Sequence, residues 1–302
     1  MQVSARLDIV RRSKILLDPH RLAHTPPHHL LGNADALILD LQHAPEGIPL
    51  RDDVLHRLAH LAHYGVDMFV RAPLGDLPHA LERLKGAPLS GVALSAPSPD
   101  AVREVDSLLA GYDSPGSSPL QIDLLLDSPQ ALLTLDATAS ASPRVVSITV
   151  DEEGLLRALG VPLSPEVDQF FFPRGMALLV ARLHGLQAHG LAFLPPHPDG
   201  SSPSLEERAV VARKLGLMGA LCHTPEEAVA LNKGFTPSPE EVQWCRKALW
   251  VLEDALRHGL GSATIEGLEM VDIAMLKHIR TLLQRESALC RKDAQKAIAL
   301  GE

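Results

Sequence analysis

The sequence predicts an α/β protein, a TIM-like (β/α)8 barrel over residues 1–235 followed by a helical extension over 236–302. Three observations predict it. Short apolar runs alternate with helix-period segments eight times within about 220 residues, the rhythm of a parallel sheet covered by helices. No G-x-G-x-x-G and no P-loop follows any of the runs, so the runner-up, an open doubly wound sheet with a dinucleotide site, has no support. After Pro237 the pattern is helical alone, over roughly 239–258, 269–285 and 287–300.

The units follow in order. "KILL" (14–17) and "ALILDL" (36–41) are the first two strands. "RDDVLHRLAHLAHYG" (51–65) places Val54, Leu55, Leu58 and Leu61 on one helix face and stops at Gly65. "DMFVRA" (67–72) is a third strand, "LPHALERLKG" (77–86) a short helix, and "GVALS" (91–95) a fourth strand. "SPDAVREVDSLLAG" (98–111) opens on a serine cap. "LQIDLLLD" (120–127) and "VVSITV" (145–150) are strands five and six. The helix "RGMALLVARLHGLQAHG" (174–190) leads to a seventh strand, "LAFL" (191–194). "SLEERAVVARKLG" (204–216), with its acidic first turn, leads to an eighth, "LMGALC" (217–222). The turn-rich "PPHPDGSSPS" (195–204) then falls at the end of strand seven, where barrel active sites form.

Composition narrows the function classes. The chain is 46% hydrophobic and 22% charged, ordinary for a globular protein, with aromatics at 3%, so Leu, Val, Ile and Ala must fill the core. A net charge of −9 without a basic run disfavours nucleic acid or an anionic membrane as partner, and leaves a small molecule as the expectation. No apolar run approaches the ~18 residues of a membrane span. Cys222, Cys245 and Cys290 are too few and too scattered for a disulfide framework or zinc site. A reducing compartment follows, with the cytoplasm expected and mitochondria as the alternative; Asp8 among Arg6, Arg11 and Arg12 argues against a presequence. His20, His24, His28, His29 and His43 lack a recognisable ligand spacing and read as a polar loop.

Several stretches, in order along the chain, carry a resemblance. "DALILDLQHAP" resembles D-A-L-I-L-D-L-E-D-A-V, "FVRAP" resembles V-R-V-N, and "LLLDSPQAL" stands where I-E-T-x-x-G is found. "VDEEGLLRALG" stands at G-x-E-D-L-x-x-D-L-G. "GFTPSPEEV" is the closest match, to F-x-P-S-x-E-E-V, and "EGLEMVDIAMLKHIRTLL" resembles the tail D-G-K-M-I-D-x-P. These motifs belong to the citrate lyase β-subunit-like family of the HpcH/HpaI aldolase and citrate lyase superfamily, which the chain resembles as a diverged member.

The resemblance implies a homo-oligomeric barrel (trimer or hexamer). It implies a carbon–carbon lyase or aldolase in which Mg²⁺ assists enolate chemistry on a small 2-oxo acid or acyl-CoA thioester. It implies metal carboxylates at Asp127 and in the run Asp151, Glu152 and Glu153, with Glu153 favoured. It implies Arg71 as the fork for a substrate carboxylate. Asp40 is an acid at the site, Gln42 and His43 are substrate contacts, and Asp272 is a base lent to a neighbouring subunit. On the residues alone, Asp127 also suits a cap for the "SPQALL" helix, Glu152 and Glu153 a solvated first turn, Arg71 a rim salt bridge, and Asp272 a helix N-cap. His223, in "CHTP", reads as a structural hydrogen-bonding residue. The family's E-D pair is Gln42-His43 here, its L-P-K lysine is Ala96, its V-R-V-N asparagine is Pro73, and His20 replaces a glycine. Those departures leave open a binding protein on the same barrel without catalysis, or a biosynthetic enzyme forming a different bond.

Overall fold

The computed structural model describes residues 8–24, 34–42, 52–63, 65–113, 116, 118–265, 267 and 269–300. Eight parallel strands form one sheet in the order β7-β6-β5-β4-β3-β2-β1-β8. They are β1 Ser13–Leu17, β2 Ala36–Asp40, β3 Asp67–Arg71, β4 Gly91–Leu94, β5 Gln121–Leu126, β6 Val145–Val150, β7 Gln187–His189 and β8 Ala220–Cys222. Two backbone bonds, Met218 N–H to Ala188 O at 2.9 Å and Gly190 N–H to Gly219 O at 2.8 Å, bring β7 to the β8 side. The expected TIM-like barrel is the observed fold.

The described helices are α1 Pro19–His24, α2 Asp52–His63, α3 Leu77–Arg83, α4 Pro99–Ala110, α5 Pro129–Leu133, α6 Leu135–Ala139, α7 Glu152–Leu159, α8 Phe171–His184, α9 Leu205–Leu215, α10 Pro225–Phe235, α11 Pro239–Arg257 and α12 Leu276–Leu300. Their caps are local. Ser98 and Ser128 accept N–H groups of the first turns of α4 and α5, and Ser204 and Ser238 close capping boxes on α9 and α11. Ser128, not Asp127, therefore caps the "SPQALL" helix, which frees Asp127 for another role.

Side chains alternate along each strand. Ile38, Phe69, Ala93 and Leu125 pack together inside the barrel with Leu16 and Leu221. Their neighbours Ile15, Leu17, Leu37, Leu39, Val70, Leu124 and Ile148 belong to the larger core cluster that also takes in helix residues such as Val102, Leu155 and Ala209. One level of the interior is polar. Lys14 and Asp123 are both fully buried, and Lys14 Nζ donates to Asp123 Oδ2 at 2.5 Å and Thr149 Oγ1 at 2.8 Å. Asp123 Oδ1 accepts from Ser147 Oγ at 2.7 Å and Thr149 Oγ1 at 2.8 Å.

Two expected elements are corrected. The seventh strand is Gln187–His189, not residues 191–194, because α8 stops at Gly185, which takes the left-handed conformation at φ 66° and turns the chain at once. The extension is not purely helical: Ser262–Ile265 (β9) and Glu269–Asp272 (β10) form an antiparallel hairpin, and α12 is one continuous helix.

The chain divides into two compact units: one of Arg11–Phe235 together with the chain end from Lys296, the other of Thr236–Gln295 with the segment before Arg11. In the first, Lys296 Nζ reaches the fully buried Asp35 Oδ1 at 2.5 Å, and Arg12 holds the other oxygen at 2.8 Å. The second is built on Cys245, Ala248, Leu252, Val271 and Ile279. All three cysteines are free. Among the described residues no helix is long and apolar enough to cross a membrane.

Candidate active site

Three aspartates meet one arginine at the C-terminal ends of the strands. Asp40 closes β2 and stands in register with Arg71, which closes β3. Asp127 follows β5 and Asp151 follows β6, so each continues the inward alternation of its strand: Asp123, Leu125, Asp127 on one and Ser147, Thr149, Asp151 on the other.

The three carboxylates are held alike. Each Oδ1 accepts a backbone N–H: Asp40 from Gln42 at 2.9 Å, Asp127 from Ala96 at 2.8 Å, and Asp151 from Gly154 at 2.9 Å. Each Oδ2 faces the buried Arg71 guanidinium, at 3.6 Å from Nη1 for Asp40, and at 3.4 and 3.3 Å from Nη2 for Asp127 and Asp151. Charge-assisted hydrogen bonds close to about 2.7–2.9 Å, so Arg71 is shared by three acids and clasped by none. Its Nε donates to Ser95 Oγ at 2.6 Å, and Ser95 Oγ reaches Gln42 Oε1 at 3.3 Å.

Backbone geometry enforces this arrangement at two places. Ala96 is the single non-glycine among the described residues with positive φ, 43°, and its N–H is the one aimed at Asp127. A Cβ on Gly154 would stand 2.5 Å from Asp127 Cβ and 3.0 Å from Asp151 Cγ, so only glycine lets the two aspartates approach the start of α7. Burial pushes the Asp127 carboxyl above the usual carboxylate range, against the pull of the Ala96 N–H and of Arg71; the Asp151 charge adds to the rise. Three carboxylates against one guanidinium leave an unmet demand for positive charge.

A cavity of about 380 Å³ opens from this cluster. Asp40, Arg71 and Asp151 line it together with Glu152, Glu153, Arg208 and His223, and Leu16 and Leu221 are among its apolar residues. Among the described residues no group of three or more His, Cys, Asp and Glu side chains is gathered as a cation site. A magnesium ion does not need one: it binds through one or two carboxylates and keeps several waters. Asp127 and Asp151, hard oxygen donors with one free-facing oxygen each, fit that demand.

The structure brings together Asp40, Arg71 and Asp127 of the expected residues and adds Gln42 through Ser95. Glu152 and Glu153 line the same cavity as Asp40 and Arg71, but their ion pairs are made with other residues. Glu152 Oε2 accepts from Arg208 at 3.3 Å and its Oε1 lies 3.9 Å from Arg174, which also pairs with Asp168. Burial pushes the Glu152 pKa up, opposed by Arg208 and Arg174. The exposed Glu153 lies 3.3 Å from His223 Nε2. Asp151 is the acid of that run which turns to Asp127, because it caps α7 from the strand end while its two neighbours already lie in the helix. Asp272 belongs to the other unit, where its Oδ1 accepts the Ala274 N–H at 2.9 Å, the expected cap. His43 lies outside the described residues. His223 makes structural bonds, its N–H to Glu227 Oε2 and its carbonyl from Arg21, both at 2.7 Å.

Known proteins share this frame. No protein-family model matches the chain. It is 26% identical over 287 residues to citrate lyase subunit beta of Escherichia coli K12, covering 91% of this chain and 93% of that one. Over nearly its whole length the chain is similar to citrate lyase β subunits, that of Haemophilus influenzae included, at 23% identity over 295 residues, 93% of this chain and 99% of that one. The mitochondrial citramalyl-CoA lyase of Mus musculus is 22% identical over 170 residues, which are 56% of this chain and 46% of that one. The fold is also that of protein CitE from Mycobacterium tuberculosis, crystallised with magnesium, acetoacetate and coenzyme A. It matches with a TM-score of 0.65 at 22% identity, over 93% of this chain and 99% of that one.

Sequence reasoning named Asp151 within the acid run but favoured Glu153, and it gave Ser95 and the Ala96 N–H no role at the site. The signal for two of these was present: inward alternation from Ser147 and Thr149 points to Asp151, and from Ala93 to Ser95.

Proposed function

We propose that this protein is a carbon–carbon lyase or aldolase that works with Mg²⁺ on a small 2-oxo acid or an acyl-CoA thioester. The observation that carries the reading is the set of three aspartates, each with one oxygen fixed by a backbone N–H and the other turned to Arg71. Asp127 and Asp151 would hold the ion, in place of the Asp127–Glu153 pair expected from the family motif. Magnesium supplies electrophilic stabilisation of the negative charge that builds up when a bond beside a carbonyl is made or broken.

The protein's own groups then have distinct tasks. Arg71 forks the substrate carboxylate, with its Nε held by Ser95 and its Nη1 and Nη2 donors turned from the aspartates to the substrate. Asp40 and Gln42 hydrogen-bond the substrate or the waters around it, and Leu16 and Leu221 keep the cavity floor dry. Asp272 is the proposed base, supplied by a second copy of the chain. The exposed Phe172, Leu179 and Leu183, on one face of α8 at 64%, 68% and 72% exposure, support the homo-oligomer that this role requires.

The test is Asp127→Ala. Mg²⁺ binding by calorimetry and cleavage of an acyl-CoA adduct of a 2-oxo acid are both expected to disappear, with circular dichroism unchanged. Unaltered Mg²⁺ affinity in that variant overturns the reading.

A further inference from the structure

We infer that Arg71 is a resident counter-cation which competes with the divalent ion for the oxygens of Asp127 and Asp151. The inference rests on the metal reading above and adds a regulation to it: the metal and the substrate carboxylate each release Arg71 from the aspartates for the benefit of the other.

The geometry makes the two cations rivals. A single nitrogen, Arg71 Nη2, faces both Asp127 Oδ2 at 3.4 Å and Asp151 Oδ2 at 3.3 Å. Those Oδ2 atoms are the oxygens of the pair turned to Arg71, while each Oδ1 already accepts one backbone N–H, from Ala96 or Gly154. A divalent ion bound through the Oδ2 atoms would meet a full positive charge beside it. At that separation the repulsion is large even in a well-screened site. The guanidinium is also loosely held: its carboxylate contacts of 3.3–3.6 Å are all long, and its one short bond is Nε to Ser95, about which the fork can turn. A carboxylate arriving in the cavity offers Arg71 a bidentate partner. Once Arg71 turns to it, Asp127 and Asp151 are left with a stronger demand for the metal. The coupling is reciprocal by thermodynamic necessity.

The test is calorimetry of Mg²⁺ alone and Mg²⁺ with propionate, a carboxylate that can pair with Arg71 but lacks the 2-oxo group that would chelate the ion strongly. Arg71→Gln is expected to bind Mg²⁺ at least about tenfold more tightly than the wild type, since a unit charge beside the ion has gone. Propionate is expected to tighten Mg²⁺ binding in the wild type and to have no such effect in Arg71→Gln. Unchanged or weaker Mg²⁺ affinity in a folded Arg71→Gln, with Asp127→Asn abolishing binding, overturns the competition and leaves the metal reading standing. Absence of Mg²⁺ binding in wild type and Arg71→Gln alike removes the metal reading and this inference together. If Arg71→Gln does not fold, the wild type decides: no tightening by propionate overturns the inference.

Discussion

Two sets of cations and carboxylates lie at different levels of the same barrel, and they are built to opposite rules. In the interior, Lys14 meets Asp123 at 2.5 Å, and the remaining capacity of both is taken up by Ser147 and Thr149. At the rim, Arg71 meets three aspartates at 3.3–3.6 Å and satisfies none of them. The interior set is closed, neutral and fully buried. The rim set is open, carries two excess negative charges, and borders a cavity. A closed set holds a fold in one arrangement; an open one waits for a ligand.

The sharpest way to break that comparison is to delete one carboxylate from each set. Asp123→Ala leaves the Lys14 ammonium buried without its partner and is expected to cost about 3–5 kcal/mol of unfolding free energy. Asp127→Ala removes an acid from a crowded acidic set and is expected to stay within about 1 kcal/mol of the wild type, because it also relieves repulsion from Asp151. Urea denaturation of the two variants measures both. Equal losses would mean that the rim set, too, is structural.

The pH dependence of stability separates the sets next. Burial pushes the Lys14 pKa down to about 8, although Asp123 pulls it up. The unfolded chain therefore holds a proton between about pH 8 and 10.5 that the folded chain has released. Stability from this group rises with pH across that window, by roughly 3 kcal/mol in full. The double variant Lys14→Met/Asp123→Leu lacks both groups and should lack the slope. At the rim the shifted group is an acid, and the window lies at lower pH. The Asp127 pKa is raised, so Mg²⁺ binding should weaken on acidification before the pH reaches the range of an ordinary aspartate. Calorimetry on a pH series reads that loss, and a curve that bends only at the pH of a free aspartate would argue against a buried rim acid.

How much of this was legible in the sequence follows from the same contrast. Strands one to six were readable because each carries a short run of buried, mostly apolar residues, with Lys14, Asp123, Ser147 and Thr149 as the polar exceptions that face the interior. The seventh was misplaced because Gln187 and His189 face the polar interior, where they bond each other at 3.2 Å and His189 meets Thr149 at 3.3 Å; no apolar run marks them. The β9–β10 hairpin escaped because its strands are only four residues each and β10, Glu-Met-Val-Asp, carries no alternation. The family motif pointed to Arg71, Asp40 and Asp127, which the structure places together, and favoured Glu153 where Asp151 is the one of three consecutive acids that faces Arg71. That choice depends on where β6 ends and α7 begins, within one residue, and boundaries are the part of a sequence pattern that propensity defines least.

Gly154→Ala tests whether the rim spacing is enforced by the backbone. The added methyl meets Asp127 Cβ at 2.5 Å, backbone-anchored and unable to swing away. The cost should be about 1–3 kcal/mol in stability. Weakened Mg²⁺ affinity should come with it, as Asp127 and Asp151 are forced apart. A stability loss with unchanged Mg²⁺ affinity would show that the spacing matters to packing only.

Ala96→Gly is expected to have the smallest effect, and its smallness is informative. Ala96 holds φ at 43°, where a Cβ costs about 1–2 kcal/mol. Glycine removes that strain, but it also loosens the unfolded chain by about 0.4–1 kcal/mol, so net stability should change by less than about 1 kcal/mol. Mg²⁺ affinity should follow the same near balance, because the N–H that fixes Asp127 Oδ1 survives in glycine. Ala96→Val keeps the N–H but adds a branched side chain at the left-handed position, so it should lose both stability and Mg²⁺ binding. Calorimetry and denaturation of the pair decide whether the strain at the end of β4 is there to aim one N–H at one carboxylate. Equal Mg²⁺ affinity in the glycine and valine variants would show that the turn tolerates strain without using it.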